Sequence, residues 1–342
     1  MGKKKIIAIA IVILLFIGCV GIYYYQKIFS NNVQKSGVVF INSRDDFSKL
    51  TEKLAPYIND INDFMWVSKL KKFTKIKPGK YSIQENISTN DLVNMFRGGR
   101  QTAVKLSFNN QDTLEKLAGR ISEQLEADSI SLLTAFKDSK FLSENNFNEK
   151  SILGIFIPNS YEFYWNTSAE KFRDKMLVEY QNFWNQTRLQ KAKKLNLSQK
   201  EVITLASIVQ KETSKTSERP IVAGLYLNRL QNNWPLQADP TVIYAIRQIK
   251  GQDFVVKRVL KVDLEINSPY NTYKNLGLPP SLIAMPDVSS IDAVLNAEKH
   301  DYFYMCASID KIGFHEFAKS LAQHNRNAEK YQKWLNKQGI NR

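Results

Sequence analysis

The chain has 342 residues, of which 43% are apolar and 24% charged, and its formal net charge is +15. These proportions exclude a wholly disordered chain and a protein with many membrane spans, and the length suggests about two domains. Basic residues are scattered, as at Lys69, Lys72 and Lys77, and no nucleic-acid-binding motif accompanies them. We therefore predict no nucleic-acid partner, and an anionic membrane surface or polymer fits the charge at least as well.

Residues 6–25 form an apolar stretch without a single charge. At about 1.5 Å per residue, a helix of this length spans a hydrocarbon core of about 30 Å. Because Lys3, Lys4 and Lys5 precede it, the positive-inside tendency predicts a single-pass anchor with the rest of the chain outside the cytoplasmic membrane. A cleaved signal peptide is the alternative, although the stretch is longer than the usual signal core of about 7–15 residues. Lipidation of Cys19 is a further alternative.

The rest of the chain is predicted to have an α+β fold. Residues 1–27 are assigned to a cytoplasmic tip and transmembrane anchor, and the polar residues 28–36 to a linker. Residues 37–110 alternate between strand and helix patterns, which predicts a small α+β module. Its predicted strands are Val38–Ile41, Gly79–Ile83 and Ala103–Phe108, and its predicted helices are Asp45–Leu54 and Thr89–Phe96.

Residues 111–342 are predicted to be a second domain of mixed helices and strands. The predicted helices begin near Thr113, cover Ser129–Phe136 and Ser168–Trp184, and resume near Ile291–Ala297 and at a polar C-terminal helix. The predicted strands lie around Tyr302–Met305 and Gly313–Phe317, and the basic stretch Arg188–Lys194 is predicted to be a connection. Residues 198–286 between them are the richest in polar motifs.

One predicted helix carries the best candidate for acid–base chemistry. Ser198 and Glu201 have the spacing of a capping box, so a helix should begin near Gln199. At about 100° per residue, Glu212 lies roughly 20° from Leu205 and 40° from Ile208, on the apolar face. Burial and the negative end of the helix dipole both disfavour a charged carboxyl there, so we predict a raised pKa. The alternative is that Glu212 reaches water or pairs with an arginine such as Arg219.

The segments that follow are typical of helix starts and turns. Ser217 is predicted to cap a helix with Pro220 in its first turn, and Asp239 before Pro240 is predicted to cap another. The turn-rich residues 270–273 offer aromatic rings, amides and hydroxyls that suit the faces and edges of sugars. His300, His315 and His324 lack metal-ligand spacing and are interpreted as surface or core residues, so no metal site and no cofactor are predicted.

Six ordered motifs resemble one family. They read Leu205-Ala-Ser-Ile-Val-Gln-Lys-Glu-Thr213, Ser217-Glu-Arg219, Leu227-Asn-Arg-Leu230, Leu236-Gln-Ala-Asp-Pro-Thr-Val-Ile-Tyr244, Tyr270-Asn-Thr-Tyr273 and Gly277-Leu-Pro-Pro280. This set resembles the YceG-like family, the endolytic murein transglycosylases known as MltG. The resemblance covers nearly the whole chain, including the anchor and a LysM-like module that contains Lys77-Pro-Gly-Lys-Tyr81.

The resemblance implies a membrane-anchored lyase that cuts peptidoglycan glycan strands internally and leaves 1,6-anhydro-N-acetylmuramic acid ends. It places the family's catalytic glutamate on Glu212, without a metal or cofactor. It also implies substrate-binding or wall-holding roles for a second group of residues, namely Gln237, Asp239, Tyr270, Asn271 and Thr272. The supporting residues that it implies are Glu218, Arg219 and Asn228. Many members carry a second glutamate where this chain has Gln210, which lies on the other side of the helix from Glu212.

Two other functions stay open at this point. The chain could be a non-catalytic wall-binding scaffold that recruits peptidoglycan synthases through its LysM-like module. It could also be a hydrolase, whose products would be one water heavier than the anhydro form. The implied partners are peptidoglycan glycan strands and, in the scaffold hypothesis above all, the synthases.

Overall fold

A computed structural model describes residues 2–256 and 258–337. The described helices are α1 (Lys3–Phe29), α2 (Phe47–Leu54), α3 (Ile61–Leu70), α4 (Thr89–Gly98), α5 (Leu114–Ser122), α6 (Ser129–Phe136), α7 (Ser139–Glu144), α8 (Ala169–Phe183), α9 (Gln186–Lys194), α10 (Gln199–Glu212), α11 (Arg219–Gln231), α12 (Asp239–Lys250), α13 (Val288–Leu295) and α14 (Leu321–Lys337). The described strands are β1 (Gly37–Ile41), β2 (Gly79–Ile83), β3 (Val104–Phe108), β4 (Asn159–Phe163), β5 (Tyr304–Ala307) and β6 (His315–Ala318). They pair as β1–β2, β3–β4 and β5–β6, so the predicted α+β class is confirmed.

Helix α1 is long and apolar enough to cross a membrane. Its 27 residues correspond to about 40 Å of helix, and its apolar side chains are exposed over most of its length. Exposed apolar side chains on every face are unfavourable in water and favourable in lipid. The helix therefore has the length and the surface of the predicted anchor.

The chain forms two compact units. Unit 1 comprises Met1–Leu106, Ser122–Ala127 and Tyr161–Ser168, and unit 2 comprises Ser107–Ile121, Asp128–Ser160 and Ala169–Arg342. In unit 1, β1 and β2 are antiparallel and α2, α3 and α4 complete a core of their own. The largest buried side chains of that core include Leu50, Phe64, Tyr81, Leu92 and Phe96.

The end of α1 packs directly onto unit 1. The ring of Tyr24 stacks on Trp66 at 5.1 Å, and Lys27 forms an ion pair of 2.6 Å with Asp63. Val33, in the predicted linker, is buried and forms a β-bridge with Ile58. The segment predicted as a linker is therefore part of unit 1 and is packed against the rest of it at Asn32 and Val33.

Helix α10 lies at the centre of unit 2. Its predicted capping box is present, with Ser198 accepting from the Glu201 backbone N–H and Glu201 accepting from that of Ser198. All eight residues from Val202 to Val209 are buried, and α11, α12 and α13 pack around them. Helix α11 approaches the backbone closely at Gly224, where a Cβ would lie 2.3 Å from the Glu298 carbonyl oxygen. The core thus fixes the position of both ends of α10.

The structure differs from the predicted elements in several places. Helices α3 and α7 were not predicted, and the basic stretch Arg188–Lys194 lies in helix α9 rather than in a connection. Helix α9 buries only Ala192, so it lacks the apolar stripe that periodicity detects. Strand β5 begins two residues later than predicted and extends to Ala307, and β6 begins at His315.

Candidate active site

Glu212 is the last residue of α10, where the chain turns from helix into the extended residue Thr213. It opens onto a cavity of about 330 Å³ within unit 2. The other walls are the loop that joins β5 to β6 and the face of α14 that carries Tyr331 and Trp334. The apolar face of α10 therefore ends in a carboxyl group at a cavity.

The Glu212 carboxyl has few hydrogen-bond partners for its burial. Its Oε2 atom is buried and makes no hydrogen bond, although the residue as a whole is only partly buried. Burial raises the pKa of Glu212 to about 7, helped by the nearby Asp239 carboxylate and opposed by His315, Tyr226 and Arg229. The direction is the one predicted from the helical wheel, and the carboxyl can hold its proton near neutrality.

Two residues of α11 stand beside Glu212. Tyr226 is fully buried, and its hydroxyl makes no hydrogen bond. Burial, followed by the Glu212 charge, raises the pKa of Tyr226 well above its ordinary value, so the phenol stays neutral. Arg229 donates from Nε to the Phe303 carbonyl at 2.8 Å and from a terminal nitrogen to the Leu236 carbonyl. Its guanidinium is thus tied to backbone and supplies a fixed positive charge near the acid.

His315 lies on the same cavity and is held by Glu218. The His315 backbone N–H donates to Oε1 of Glu218 at 2.6 Å, and Nδ1 lies 2.9 Å from Oε2. Because a carboxylate only accepts, Nδ1 carries the proton in this contact. Glu218 is 2% exposed, so its carboxylate is shielded from solvent, whereas the His315 ring is partly exposed at the cavity. Glu218, predicted as a supporting residue, thereby fixes a histidine ring beside Glu212.

Asp239 does not cap a helix. The N-cap of α12 is Ala238, and Asp239 is the first helical residue. Its carboxylate instead accepts a hydrogen bond of 2.6 Å from the Tyr273 hydroxyl, and its charge contributes to the raised pKa of Glu212. Burial and the Asp239 carboxylate both raise the pKa of Tyr273, so that phenol stays protonated.

Ser217 does not cap α11 either. The N-cap residue is Glu218, whose side chain makes no capping hydrogen bond because both of its oxygens are taken by His315. The expected proline signal is present, since Pro220 lies in the first turn. A spacing rule that correctly locates the helix start therefore misassigns the cap at both α11 and α12.

The predicted substrate-binding residues at positions 270–272 are internal. Tyr270 is bonded to the Ser281 hydroxyl at 2.6 Å, and Asn271 donates to the carbonyls of Leu264 and Ile266. Thr272 accepts from the Ala238 N–H at 3.0 Å and is bonded to the Thr241 hydroxyl. All three are at most 3% exposed, so they hold a wall together and do not present their side chains to a ligand.

Gln237 is placed differently from those three residues. It is exposed, and its backbone is left-handed with φ +49°. Its N–H donates to the Thr272 carbonyl at 3.1 Å. The turn that it makes sets the start of α12, and its side chain lies free at the surface among the described residues.

The two other supporting residues bind structural partners. Arg219 donates to the Asp287 carboxylate at 2.9 Å and to Ser289, which rules out the alternative that it pairs with Glu212. Asn228 donates to the carbonyls of His300 and Tyr302. Both residues therefore fix the packing around α11 and make no contact with the carboxyl.

Gln210 also faces away from Glu212. It donates to the Met285 carbonyl at 3.2 Å and accepts from the Asp287 N–H at 2.6 Å and the Ser290 hydroxyl at 3.1 Å. The amide thus uses its donor and its acceptor at once, which a carboxylate cannot do. It joins α10 to the start of α13.

A larger cavity of about 830 Å³ also lies in unit 2, and its acidic groups are of a different kind. Asp112 pairs with Lys211, and Glu115 with Lys137. Burial alone would raise the pKa of each carboxyl, but these lysines and neighbouring hydrogen bonds hold both pKa values below their ordinary range. Among the described residues, no three His, Cys, Asp or Glu side chains are grouped to hold a metal.

The model of the YceG-like family matches residues 39–330. The chain belongs to the YceG-like family. An "Endolytic murein transglycosylase" of Bacillus subtilis (strain 168) is 29% identical over 334 residues, with 91% of this chain and 90% of that protein covered. A protein of the same name in Streptococcus pneumoniae serotype 2 (strain D39 / NCTC 7466) is 28% identical over 295 residues. That match covers 78% of this chain and 53% of the Streptococcus pneumoniae protein. A crystal structure of a yceG-like protein from Listeria monocytogenes has a TM-score of 0.57 and 28% identity, covering 85% of this chain and 98% of that one.

Membership confirms the family resemblance drawn from the six motifs. Membership does not say which side chains of this YceG-like chain take part in a reaction. Three of the groups around Glu212 were not predicted from sequence. From sequence alone, Tyr226 is interpreted as a residue of the apolar helix face and His315 as a surface or core histidine. Arg229 belongs to a family motif but is given no role. The spacing of Tyr226 and Arg229 at i and i+3 places both on one face of α11, which is a signal that sequence carries. His315 lies 103 positions after Glu212, so only the fold brings it to the site.

Proposed function

We propose that this YceG-like protein is a lytic transglycosylase that cuts within peptidoglycan glycan strands. The substrate bond is the one between N-acetylmuramic acid and N-acetylglucosamine, and the product end is 1,6-anhydro-N-acetylmuramic acid. The murein transglycosylases of Bacillus subtilis and Streptococcus pneumoniae named above support the reaction class. The observation that carries the proposal is the Glu212 carboxyl, which has a pKa of about 7 and an unbonded oxygen at a cavity.

Glu212 serves in turn as acid and base in the proposed reaction. Its protonated carboxyl gives the proton to the glycosidic oxygen as the bond from that oxygen to the muramyl C1 breaks. The muramyl 6-hydroxyl then attacks C1 and gives its proton to the Glu212 carboxylate. The bond between C1 and the 6-oxygen replaces the one that broke, no water is consumed, and the acid is regenerated. The second carboxylate of an ordinary glycosidase is not needed, because the nucleophile is part of the substrate.

The groups around Glu212 suit this cycle. Burial favours the neutral acid at the start, whereas Arg229 and His315 favour the carboxylate that forms during the reaction. Their opposing effects keep the two protonation states close in free energy near pH 7, where an acid–base group works best. The neutral Tyr226 hydroxyl supplies a further donor beside the carboxyl.

The test is product analysis with a matched pair of variants. Full-length protein in detergent is incubated with uncrosslinked glycan strands, and the sugar ends are identified by mass. We expect anhydro ends with the wild-type chain, a loss of at least 10²- to 10⁴-fold with Glu212→Gln, and unchanged cleavage with the exposed-residue control Glu298→Gln. Products one water heavier would indicate a hydrolase. Binding without shortening would indicate the scaffold.

We also propose that α1 anchors the protein in the cytoplasmic membrane with both units on its outer side. The length and apolar surface of α1 support an anchor, and Lys3, Lys4 and Lys5 support an N-terminus in the cytoplasm. A reporter fused before Lys3 should be protected from added protease in intact spheroplasts, and one at the C-terminus should be degraded. The reverse pattern would refute this orientation.

The module at residues 37–110 is proposed to be LysM-like and to bind glycan. Its separate core and its antiparallel pair β1–β2 support an independent module. Peptidoglycan synthases are proposed as protein partners. Sedimentation with purified cell walls tests the first proposal, since removal of the module should reduce the bound fraction while cleavage of soluble strands continues.

A further inference from the structure

One wall of the Glu212 cavity is aromatic. Tyr331 and Trp334 are three positions apart on α14, so their side chains share one face of that helix. Their rings stack with centroids 6.0 Å apart and an interplanar angle of 19°. Both rings line the same cavity as Glu212. The two residues, named here the α14 platform, form a stacked aromatic pair on one wall of the cavity.

The α14 platform is not needed to build the core. Helix α14 packs on β5 and β6, where for example His324 stacks on Tyr304 at 5.4 Å. None of its described residues is buried, and the platform rings are only partly covered. Tyrosine and tryptophan rings carry a large apolar area, which is unfavourable to leave against water without a partner. The stacked pair therefore has unused apolar surface facing the cavity.

The remaining walls have the character of a saccharide site. The loop between β5 and β6 places Ile312 at the cavity with 82% of its side chain exposed. Thr213, Ser214 and Ser308 also lie on the lining. The Thr213 and Ser308 hydroxyls are hydrogen-bonded within the chain, whereas Ser214 is exposed. A pyranose ring has an apolar C–H face that stacks on aromatic rings and an edge of hydroxyls that hydrogen-bonds, so both kinds of wall are matched by one sugar.

We propose that the α14 platform is a sugar-binding subsite, on which one pyranose of the glycan strand stacks while the scissile bond lies at Glu212. This assignment rests on the proposed function of Glu212 and names the part of the substrate that the cavity holds. The occupant is an N-acetylated glycan strand. At the platform itself, α14 contributes only the two rings of Tyr331 and Trp334, which suit the apolar face of a sugar better than the charged groups of a peptide stem.

The test compares variants on one helical turn. Trp334→Ala and Tyr331→Ala should each raise KM for uncrosslinked glycan strands by about five- to tenfold with little change in kcat, because stacking is made in ground and transition states alike. Trp334→Phe and Tyr331→Phe should retain most of the affinity because they keep a ring. Lys333→Ala should behave as wild type, because this exposed residue lies between the two in sequence but on another face of α14, where it pairs with Glu329.

A second measurement separates this proposal from that for Glu212. Binding of glycan strands is measured in the Glu212→Gln background, with and without Trp334→Ala, so chemistry does not enter. A five- to tenfold weaker Kd in the double variant supports the subsite, and equal Kd values overturn it. Cleavage by Glu212→Gln itself overturns the proposed function instead. If Trp334→Ala does not fold, Tyr331→Ala in the Glu212→Gln background decides by the same two outcomes.

Discussion

Two polar clusters of unit 2, one at Asn271 and Thr272 and the other at Glu212 and Tyr226, are bonded very differently. Asn271 and Thr272 have their side-chain donors and acceptors occupied by backbone and hydroxyl groups. Glu212 and Tyr226 each keep a buried oxygen without a hydrogen bond. Burying an unpaired polar group destabilises a fold by about 1–3 kcal/mol, so the second cluster is maintained against stability. The first cluster therefore holds the fold together, whereas Glu212 has an unpaired oxygen and lines a cavity, where a ligand can reach the carboxyl.

The largest effect is expected from breaking the fully bonded cluster. Asn271→Leu would leave the Leu264 and Ile266 carbonyls and the Tyr273 N–H without their partner. We expect the free energy of unfolding to fall by about 4 kcal/mol, measured by urea denaturation in detergent. The control is Asn275→Leu, which removes two bonds of similar length from an exposed side chain and should cost less than about 1 kcal/mol. Equal losses in the two variants would remove burial as the cause.

At Glu212 we expect a substitution to raise, and not to lower, the free energy of unfolding at high pH. Its folded-state pKa of about 7 exceeds the ordinary value of 4.5, so the folded chain binds more protons than the unfolded chain between these values. Stability is therefore lost as pH rises from about 4.5 through about 7, by on the order of 3 kcal/mol. Glu212→Gln lacks this loss and should be the more stable protein at pH 8, with the advantage gone at pH 4.5. Denaturation midpoints at the two pH values measure it, and a parallel pair of curves contradicts the raised pKa.

An intermediate loss of stability is expected at Glu218, which is fully bonded yet contacts His315 at the Glu212 cavity. Glu218 is buried but fully bonded, since both carboxylate oxygens accept from His315. Glu218→Gln should lower the free energy of unfolding by about 2 kcal/mol, because a charge-assisted bond becomes a neutral one and an amide N–H₂ then faces the ring. His315→Gln in the same background should add little further loss, as expected for two residues in direct contact. Additive losses would show that the two side chains act independently.

The smallest effect is expected at Gln210. Gln210→Glu keeps the acceptor for the Asp287 N–H and the Ser290 hydroxyl but removes the donor to the Met285 carbonyl. We expect a loss of about 1 kcal/mol in stability and no shift in the pH dependence of cleavage, because this side chain points away from Glu212. Gln210→Ala, which removes all three bonds, should lose more. A shifted pH profile in Gln210→Glu would link this position to the acid.

Much of the fold follows from local sequence. The capping box at Ser198 and the apolar run up to Val209 determine α10, and β1, β2, α4 and α8 lie within a few residues of their predicted bounds. What local patterns miss has identifiable causes. Helix α9 has a basic surface with a single buried residue. Helix α3 begins at Ile61, directly after Asp60, whose carboxylate caps the helix by accepting from the Asn62 and Asp63 N–H groups. Helix-start rules located the start of α11 but assigned its cap to Ser217, whereas the N-cap residue is Glu218, whose carboxylate binds His315 and makes no capping hydrogen bond.

The candidate site follows from sequence only in part. The position of Glu212 on the apolar face of its helix and the direction of its pKa shift came from periodicity. The residues that surround it come from α11, from β6 and from α14, and no local pattern relates these segments. Residues 270–272 look like a ligand surface in sequence because they are aromatic and polar, yet their partners are internal. Whether a polar side chain is satisfied is a property of the packed chain.

The junction of α1 with unit 1 has a mechanical consequence. Stacking of Tyr24 on Trp66 and the Lys27–Asp63 ion pair clamp the last turns of the helix to the module, so no slack tether separates them. A spanning helix adjusts its tilt when the bilayer thins or thickens. Unit 1 would then change its inclination together with α1. With α1 as the proposed membrane anchor, the thickness of the bilayer would in this way set the inclination of unit 1.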